Sequence, residues 1–232
     1  MIKFHPDTAV LKQFAAGELP DSISVIVASH VEMCPHCQKV VELENELLAK
    51  QAFDNGVNTE SETYADIDTV ETLLVDDEFA SMIASITSDT AVTHSTPAKH
   101  SDNEITVNGQ TVSLPRALNS IRLKEWSGIG KLSRSRLELD DDNLRASLLH
   151  IDKGGQVPTH THKGFEITLL LQGSFKDEMG TYKEGDFVWL NGEHTHNPVS
   201  EEGCVCLTVS SDALHFTEGM SKLFNPIGKL IY

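Results

Sequence analysis

Two cysteines and two histidines near the start of the chain have the types and the spacing of metal ligands. In the stretch HVEMCPHCQK, residues 30–39, His30 stands four residues before Cys34, and Cys37 stands three residues after it. If one helix runs through Cys34, then His30 and Cys34 lie one turn apart on the same face. Zinc in structural sites takes four ligands, usually cysteine and histidine. His5, just upstream of the first predicted helix, can complete the set, so these four residues predict a zinc site.

The same two cysteines also allow a redox interpretation, because CxxC at the start of a helix is typical of thioredoxin-like proteins. That fold needs a βαβ crossover and then a further hairpin and helix. Residues 51–103 are acidic and poor in strand-forming runs, and the redox interpretation leaves His30 without a role. The sequence therefore favours a metal site over a redox dithiol or two inert cysteines, with His36 exposed and unliganded.

A second set of candidate ligands lies in the stretch GGQVPTHTHKGFEITLLLQG, residues 154–173. Residues two apart on a strand point to the same side, so His160 and His162 project together, and Glu166 returns to that side after a short irregular piece. Imidazoles with a carboxylate suit zinc, iron, manganese, nickel or copper. The alternative is a pair of core histidines whose nitrogens are satisfied by neighbouring groups. We favour a second metal site.

This second stretch resembles the first cupin motif, G-x5-H-x-H-x3-E-x6-G, along its whole length. The second cupin motif normally supplies a histidine as fourth ligand. The corresponding piece, GDFVWLNGEHTHNP, has Leu190 where proline is expected, and it offers both His194 and His196. The resemblance implies that His196 is the fourth ligand, that the ion is a divalent transition metal (zinc, or iron, manganese or nickel), and that the fold is a jelly-roll barrel.

Helical segments are predicted to position the first cluster. Apolar residues recur at helical spacing over residues 8–16, 21–34, 38–53 and 69–86. The first segment has Asp7 or Thr8 as N-cap and ends at Gly17, where a C-terminal glycine belongs. The fourth segment carries an apolar stripe that predicts either a core face or a docking face for a partner, formed by Phe79, Met82, Ile83 and Ile86.

Strands are predicted to position the second cluster. Residues 88–103 are rich in Ser, Thr, Asp and Pro and predict a linker. Beyond them the apolar period changes from 3.6 to 2, beginning with a hairpin around Asn108–Gly109. Later strand-like runs cover residues 145–152, 165–175, 185–190 and 204–211. Many short strands without intervening helices predict a sandwich or barrel, so the chain is expected to be an α + β protein of two domains.

Charge and composition limit the kinds of partner and the compartment. The net charge is −17, and residues 1–95 carry four lysines, no arginine and seventeen acidic residues. Such a segment repels nucleic acid and suits a basic protein surface, although a solvated helical face would look the same. No apolar run approaches the roughly 20 residues that a membrane helix needs. We therefore predict a cytoplasmic protein with reduced cysteines, no membrane association and no direct nucleic-acid contact. Cys204 and Cys206 are predicted to pack inside the strand domain.

The two clusters together resemble the ChrR type of zinc-binding anti-sigma factor, in which a zinc anti-sigma domain precedes a cupin domain. The resemblance implies an all-α zinc domain at residues 1–90, a linker at 91–103 and an all-β cupin domain at 104–232. It also implies that the first domain sequesters an extracytoplasmic-function sigma factor, which is released on a chemical signal, expected to be oxidative, that involves the cupin. A homodimer through the cupin of the free protein fits this resemblance. The alternative is a metal-dependent cupin enzyme, a dioxygenase or isomerase, with an accessory helical domain.

Overall fold

Four helices open the chain, as the apolar spacing predicts. The structure is a computed structural model that describes residues 1–57, 77–88, 104–141, 143–212 and 214–216. The helices are α1 (Thr8–Ala16), α2 (Asp21–Met33), α3 (Pro35–Val57) and α4 (Asp77–Ser88). Two predictions lie outside the described residues, namely the start of the fourth helix at residue 69 and the linker at 91–103.

The ends of the first two helices follow from their sequence. Asp7 caps α1 by accepting a hydrogen bond from the Ala9 N–H, and Gly17 ends the helix in the left-handed conformation, at φ 70°. Helix α2 ends at Met33 because Cys34 adopts an extended conformation. Pro35 then opens α3, in keeping with the preference of proline for the first helical turn. Cys34 therefore lies in the bend between two helices and not within α2.

Fourteen short strands make up the described part beyond residue 103. The first group is β1 (Glu104–Val107), β2 (Gln110–Ser113), β3 (Ser127–Ile129), β4 (Leu132–Arg136), β5 (Arg145–Ile151), β6 (Gly155–Gln156) and β7 (His160–His162). The second group is β8 (Phe165–Lys176), β9 (Thr181–Lys183), β10 (Phe187–Asn191), β11 (Thr195–His196), β12 (Val199–Ser200), β13 (Cys204–Ser210) and β14 (Leu214–Phe216). A 3-10 helix, Arg116–Leu118, lies between β2 and β3. The predicted order, α-helices first and then strands without intervening α-helices, is confirmed for the described residues.

The strands form one large sheet and two small ones. The large sheet has the order β3-β4-β5-β13-β8-β12-β6, and β9 and β10 also pair with β8. A three-stranded sheet has the order β11-β7-β14, and β1 pairs with β2 around the predicted Asn108–Gly109 turn. Neighbouring strands are antiparallel throughout the described pairs. Strand β8 lies in the middle of this arrangement and carries Glu166.

The N-terminal helices share one apolar core with the large sheet. Ile26 and Val27 of α2 are fully buried in the same cluster as Leu148, Leu169 and Leu207 from three strands. A second cluster lies on the opposite side of the sheet and contains Leu170, Phe175, Cys204 and Cys206. The packing predicted for the two late cysteines therefore agrees with their burial.

Two compact units result from this packing. Residues 1–47 and 102–232 make up the first unit, and residues 48–101 make up the second. The first helices thus belong with the strands, because α2 buries its apolar side on the sheet. The domain bounds 1–90, 91–103 and 104–232 stay a prediction. In the part of the chain that the structure describes, no helix combines the length and the apolar character that crossing a membrane requires.

Candidate metal centres

His5, His30, Cys34 and Cys37 come together in the folded chain. One ligand atom from each lies within 4.8 Å of the others. His30 Nε2 is 3.3 Å from Cys37 Sγ, and His5 Nδ1 is 3.4 Å from the sulfur atoms of both Cys34 and Cys37. Tetrahedral zinc with bonds of about 2.0–2.3 Å spaces its ligand atoms about 3.3–3.8 Å apart. The group thus has close to the spacing that one zinc ion requires.

The protein fixes the orientation of the His30 ring. Its Nδ1 lies 2.9 Å from the backbone oxygen of Gly185, which can only accept a hydrogen bond, so Nδ1 carries the proton and Nε2 presents a lone pair to the cysteines. Burial lowers the pKa of His30 to about 4, despite the opposing effect of the Gly185 hydrogen bond. The ring is therefore neutral at neutral pH, the form that binds a metal.

The environment of Cys37 opposes the redox interpretation. Its side chain is fully buried, and burial together with neighbouring Cys34 raises the pKa of the Cys37 thiol to about 12. Reactive CxxC motifs instead have a lowered cysteine pKa, because the thiolate is the attacking species. A buried sulfur of this kind loses its proton when a cation binds it. The chemistry of the four donors thus fits zinc.

The strand part of the chain holds this first cluster in place through the β9–β10 turn, residues 184–186. Asp186 accepts hydrogen bonds from the backbone N–H groups of Lys3 (2.7 Å) and Phe4 (3.2 Å), next to His5. The Phe187 N–H donates to the Phe4 carbonyl at 3.0 Å. Gly185 supplies the acceptor for His30. Both histidines of the cluster are thus positioned by the same turn.

His160, His162, Glu166 and His196 form the second cluster. Their ligand atoms also lie within 4.8 Å of one another. Strand β7 carries His160 and His162, and β11 pairs with it so that His196 lies opposite His160. Glu166 comes from β8, with its Oε2 2.8 Å from His162 Nε2. The alternative ligand, His194, lies outside the group and contacts Asn191 Oδ1 at 2.7 Å.

The imidazole rings of His160 and His196 each hold a proton on Nδ1, outside the cluster, and turn Nε2 towards each other. His160 Nδ1 lies 2.8 Å from the Pro158 oxygen, and His196 Nδ1 lies 3.2 Å from Asp177 Oδ2. Each Nδ1 therefore carries the proton, and both Nε2 atoms present lone pairs. Those two atoms are only 3.0 Å apart. Two lone pairs at that distance repel each other unless a cation lies between them, so the donor set fits a transition metal.

The carboxylate of Glu166 is also suited to bind a metal ion. Burial opposes ionisation of Glu166, but the hydrogen bond from His162 and the three nearby imidazoles outweigh it and hold the pKa of Glu166 below its usual range. Burial lowers the pKa of His160 to about 4. At neutral pH the cluster thus offers a charged carboxylate and a neutral imidazole, as metal binding requires.

Two partner residues were missed by the sequence analysis. Gly185 lies 155 residues from His30, and Asp177 lies 19 residues before His196. Neither belongs to a ligand motif, so no local pattern signals its role. A histidine ligand normally donates its second N–H to a carbonyl or carboxylate, which predicts that such partners exist but not which residues supply them.

Known proteins resemble this chain in its strand part and along its whole length. Residues 122–213 match the family described as the ChrR Cupin-like domain. The anti-sigma-E factor ChrR of Cereibacter sphaeroides is 29% identical over 231 residues, which cover 99% of each chain.

A solved structure is similar as well. The crystal structure of Rhodobacter sphaeroides SigE in complex with the anti-sigma ChrR matches with a TM-score of 0.60 and 26% identity, over 90% of this chain and 100% of that chain. The resemblance predicted from the two ligand patterns is therefore confirmed: a ChrR cupin-like domain follows N-terminal helices, and the chain is similar to ChrR-type anti-sigma factors along nearly its whole length.

Proposed function

We propose that this chain is an anti-sigma factor that sequesters a sigma factor of the extracytoplasmic-function class in the cytoplasm. The observation that carries the proposal is the similarity to anti-sigma-E factor ChrR over 99% of the chain. The chain acts as a negative regulator of transcription and not as an enzyme. Its helical part binds the sigma factor, and its cupin part receives a chemical signal that loosens the complex.

The first cluster supplies the scaffold for binding. His5, His30, Cys34 and Cys37 hold a zinc ion that ties the segment before α1 to the bend between α2 and α3. A structural zinc contributes an apparent ~10–16 kcal/mol to folding in small zinc-finger peptides near neutral pH. Losing it would free the helices from one another, so sigma binding depends on the ion.

Exposed apolar side chains on the helices support a docking role. Leu43 and Leu47 lie one turn apart on α3 and are 60% and 54% exposed. On α4, Met82, Ile83 and Ile86 are 49%, 44% and 66% exposed. Helices with an apolar face pack into grooves of partner proteins. The excess of acidic residues in the first 95 residues suits a basic sigma factor.

Co-purification tests the proposal. The full chain, co-expressed with the extracytoplasmic-function sigma factors of its own genome in turn, is expected to form a stable complex with one of them and to inhibit run-off transcription that depends on it. His30→Ala removes a ligand and is expected to lower zinc content by about one ion per chain and to abolish the complex.

His36→Ala is the matched control, because His36 is an exposed histidine between the two cysteines and is not a member of the cluster. It is expected to behave as the wild type. Absence of any complex with the wild-type chain would refute the anti-sigma function. Equal sigma binding by the two variants would refute the scaffolding role of the first cluster.

A further inference from the structure

The four donors of the first cluster are held unequally. His30, Cys34 and Cys37 are buried in the helical part, at the end of α2, in the bend and in the first turn of α3. His5 is exposed and lies in residues 1–7, which form neither helix nor strand. Helices therefore fix three of the donors, whereas His5 forms the solvent-facing side of the cluster.

The ring of His5 is also supported by fewer bonds than the ring of His30. Its Nδ1 lies 3.4 Å from the sulfur atoms of Cys34 and Cys37. Within the described part of the chain, no group forms a hydrogen bond with its Nε2, whereas the Gly185 oxygen holds the second nitrogen of His30. Such a bond orients a histidine ligand and makes it a stronger donor. His5 is therefore the donor that separates from the others most readily.

Backbone hydrogen bonds from the strand part hold His5 in place. We call residues 1–5 the His5 arm. Asp186 Oδ1 accepts from the N–H groups of Lys3 at 2.7 Å and Phe4 at 3.2 Å, and the Phe4 carbonyl accepts from the Phe187 N–H at 3.0 Å. Asp186 supplies two of these three bonds. It is therefore the main attachment of the His5 arm to the β9–β10 turn.

Asp186 is suited to this attachment by its burial and by its two oxygens. It is 2% exposed, and its Oδ2 accepts a hydrogen bond from the Lys183 N–H at 2.8 Å, at the end of β9. Because both oxygens accept, an amide NH2 group in either place would face another donor. Asp186→Asn therefore keeps the size of the side chain and weakens the connection between the turn and the His5 arm.

We propose that the His5 arm opens and closes the first cluster, and that Asp186 is the positioning residue that keeps it closed. When the arm detaches, His5 leaves the other three donors, which stay in place, and the cluster opens to solvent on that side. Metal exchange takes this route. The strand part thereby controls the exchange rate although it supplies none of the four donors. This inference rests on the metal site of the proposed function and goes beyond it, because it involves no sigma factor.

Cobalt(II) loaded into the full chain tests the proposal. Cobalt bound to cysteine absorbs light by charge transfer from sulfur, and the second cluster contains no cysteine, so this absorption reports the first cluster alone. Its decay is followed after excess EDTA is added. Asp186→Asn and His5→Ala are each expected to speed the decay at least about tenfold. The double variant is expected to stay within about twofold of His5→Ala, because Asp186 acts through His5.

Trypsin cleavage after Lys3 measures the detachment of the His5 arm independently of the absorption. A protease cuts chain that has left its hydrogen bonds, so Asp186→Asn is expected to speed this cleavage in the metal-loaded chain at least about tenfold. Glu184→Gln is the matched control, because Glu184 is an exposed acidic residue on the same turn. It is expected to match the wild type in both measurements.

Lys3→Pro carries the test if Asp186→Asn fails to fold. It removes the N–H that donates to Asp186 from the side of the arm and leaves the turn unchanged. It is expected to speed cobalt loss, whereas Lys3→Ala, which keeps this N–H, is expected to behave as the wild type. Unfolding midpoints establish that each variant is folded.

Three results would each overturn the proposal. The first is an unchanged rate of cobalt loss in His5→Ala. The second is a double variant that loses cobalt more than about twofold faster than His5→Ala, since Asp186 would then act by another route. The third is faster cobalt loss in Asp186→Asn without faster cleavage after Lys3.

The same measurements separate this inference from the proposed function, because they contain no sigma factor. A failed cobalt test beside an intact sigma complex would reject the inference alone. The expected cobalt and cleavage results without a sigma complex would reject the anti-sigma function and keep the inference. A wild-type chain without cysteine-bound cobalt would reject both the inference and the scaffolding role of the first cluster.

Discussion

Tautomers set by hydrogen bonds outside the ligand groups prepare both clusters for a cation. His30, His160 and His196 each direct Nδ1 at an oxygen, which leaves Nε2 unprotonated within its cluster. Of these oxygens, only that of Asp177 belongs to a side chain. Asp177 Oδ2 accepts from His196, and Asp177 Oδ1 accepts from the backbone N–H groups of Met179 and Gly180. Its side chain is 1% exposed, so it acts on the ion only through His196.

Replacing Asp177 by Asn is expected to weaken metal binding at the second cluster. Asn can still accept a hydrogen bond from His196, but it lacks the charge that makes the imidazole a stronger ligand. Loss of such outer partners typically costs ~10–100-fold in metal affinity. Competition with a chelator measures the effect, and zinc at the first cluster should not change.

Glu178→Gln provides the control for Asp177→Asn. Glu178 is the next acidic residue on the same turn, is exposed, and accepts from the Asn197 N–H. Its substitution is expected to leave metal affinity within twofold of the wild type. Equal losses in the two variants would mean that the total charge of the turn matters, and not the charge of the one carboxylate that is bonded to His196.

At the scale of elements, the β9–β10 turn joins the helical and the strand parts at the first cluster. Gly185 has φ 86°, in the left-handed region, and a Cβ placed there would lie 2.5 Å from the Ile2 side chain. Only glycine satisfies both conditions without strain. Strand β10 then runs from this turn to Leu190, which pairs with Glu166. Strand β10 therefore runs from the turn that supports the first cluster to a residue that pairs with a member of the second cluster.

Gly185→Ala is expected to destabilise the fold and to loosen zinc at the first cluster. The strained backbone and the contact with Ile2 are expected to cost about 1–3 kcal/mol, measured as the free energy of unfolding in urea. Displacing the Gly185 carbonyl also removes the acceptor of His30, so zinc should transfer faster to a chelator.

Gly180→Ala is the matched substitution for Gly185→Ala. Gly180 lies in the turn between β8 and β9, and nothing lies within 4 Å of a Cβ added there. It is expected to change the free energy of unfolding by less than about 0.5 kcal/mol. If both alanine variants lose the same free energy of unfolding, then the specific requirement for glycine at position 185 is refuted.

At the scale of the whole molecule, the chain buries its first helices against the sheet and leaves other apolar side chains exposed. The apolar side of α2 packs with β5, β8 and β13 in one core. Met82, Ile83 and Ile86 of α4 remain exposed. Under the proposed function, these exposed side chains contact the sigma factor. Since they support no core of their own, changing them should affect binding and not folding.

Ile86→Asp is therefore expected to weaken sigma binding at least tenfold. A charge in the middle of an apolar contact loses its hydration when the partner docks. Surface plasmon resonance with immobilised sigma factor measures the affinity. Metal content and the free energy of unfolding should stay at wild-type values. Ser81→Asp, on the opposite side of the same exposed helix, is the control and should bind as the wild type does. Equal loss in both variants would point to the charge of the helix as the cause.

The order of the elements and the two groups of side chains that cluster were both predictable from the sequence alone. H-x3-C-x2-C and H-x-H-x3-E are local patterns, and helix and strand periods are also local, so neighbouring residues suffice to recognise them. Even His5 and His196 were predicted, from the ligand number of zinc and from the cupin resemblance.

The groups that support the clusters come from distant parts of the chain and could not be predicted. The contact between His30 and Gly185 spans 155 residues, and α2 packs on β5, β8 and β13, which all follow it by more than a hundred residues. Such contacts depend on how the chain closes its long loops and on which surfaces pack together. No pattern of neighbouring residues encodes that choice.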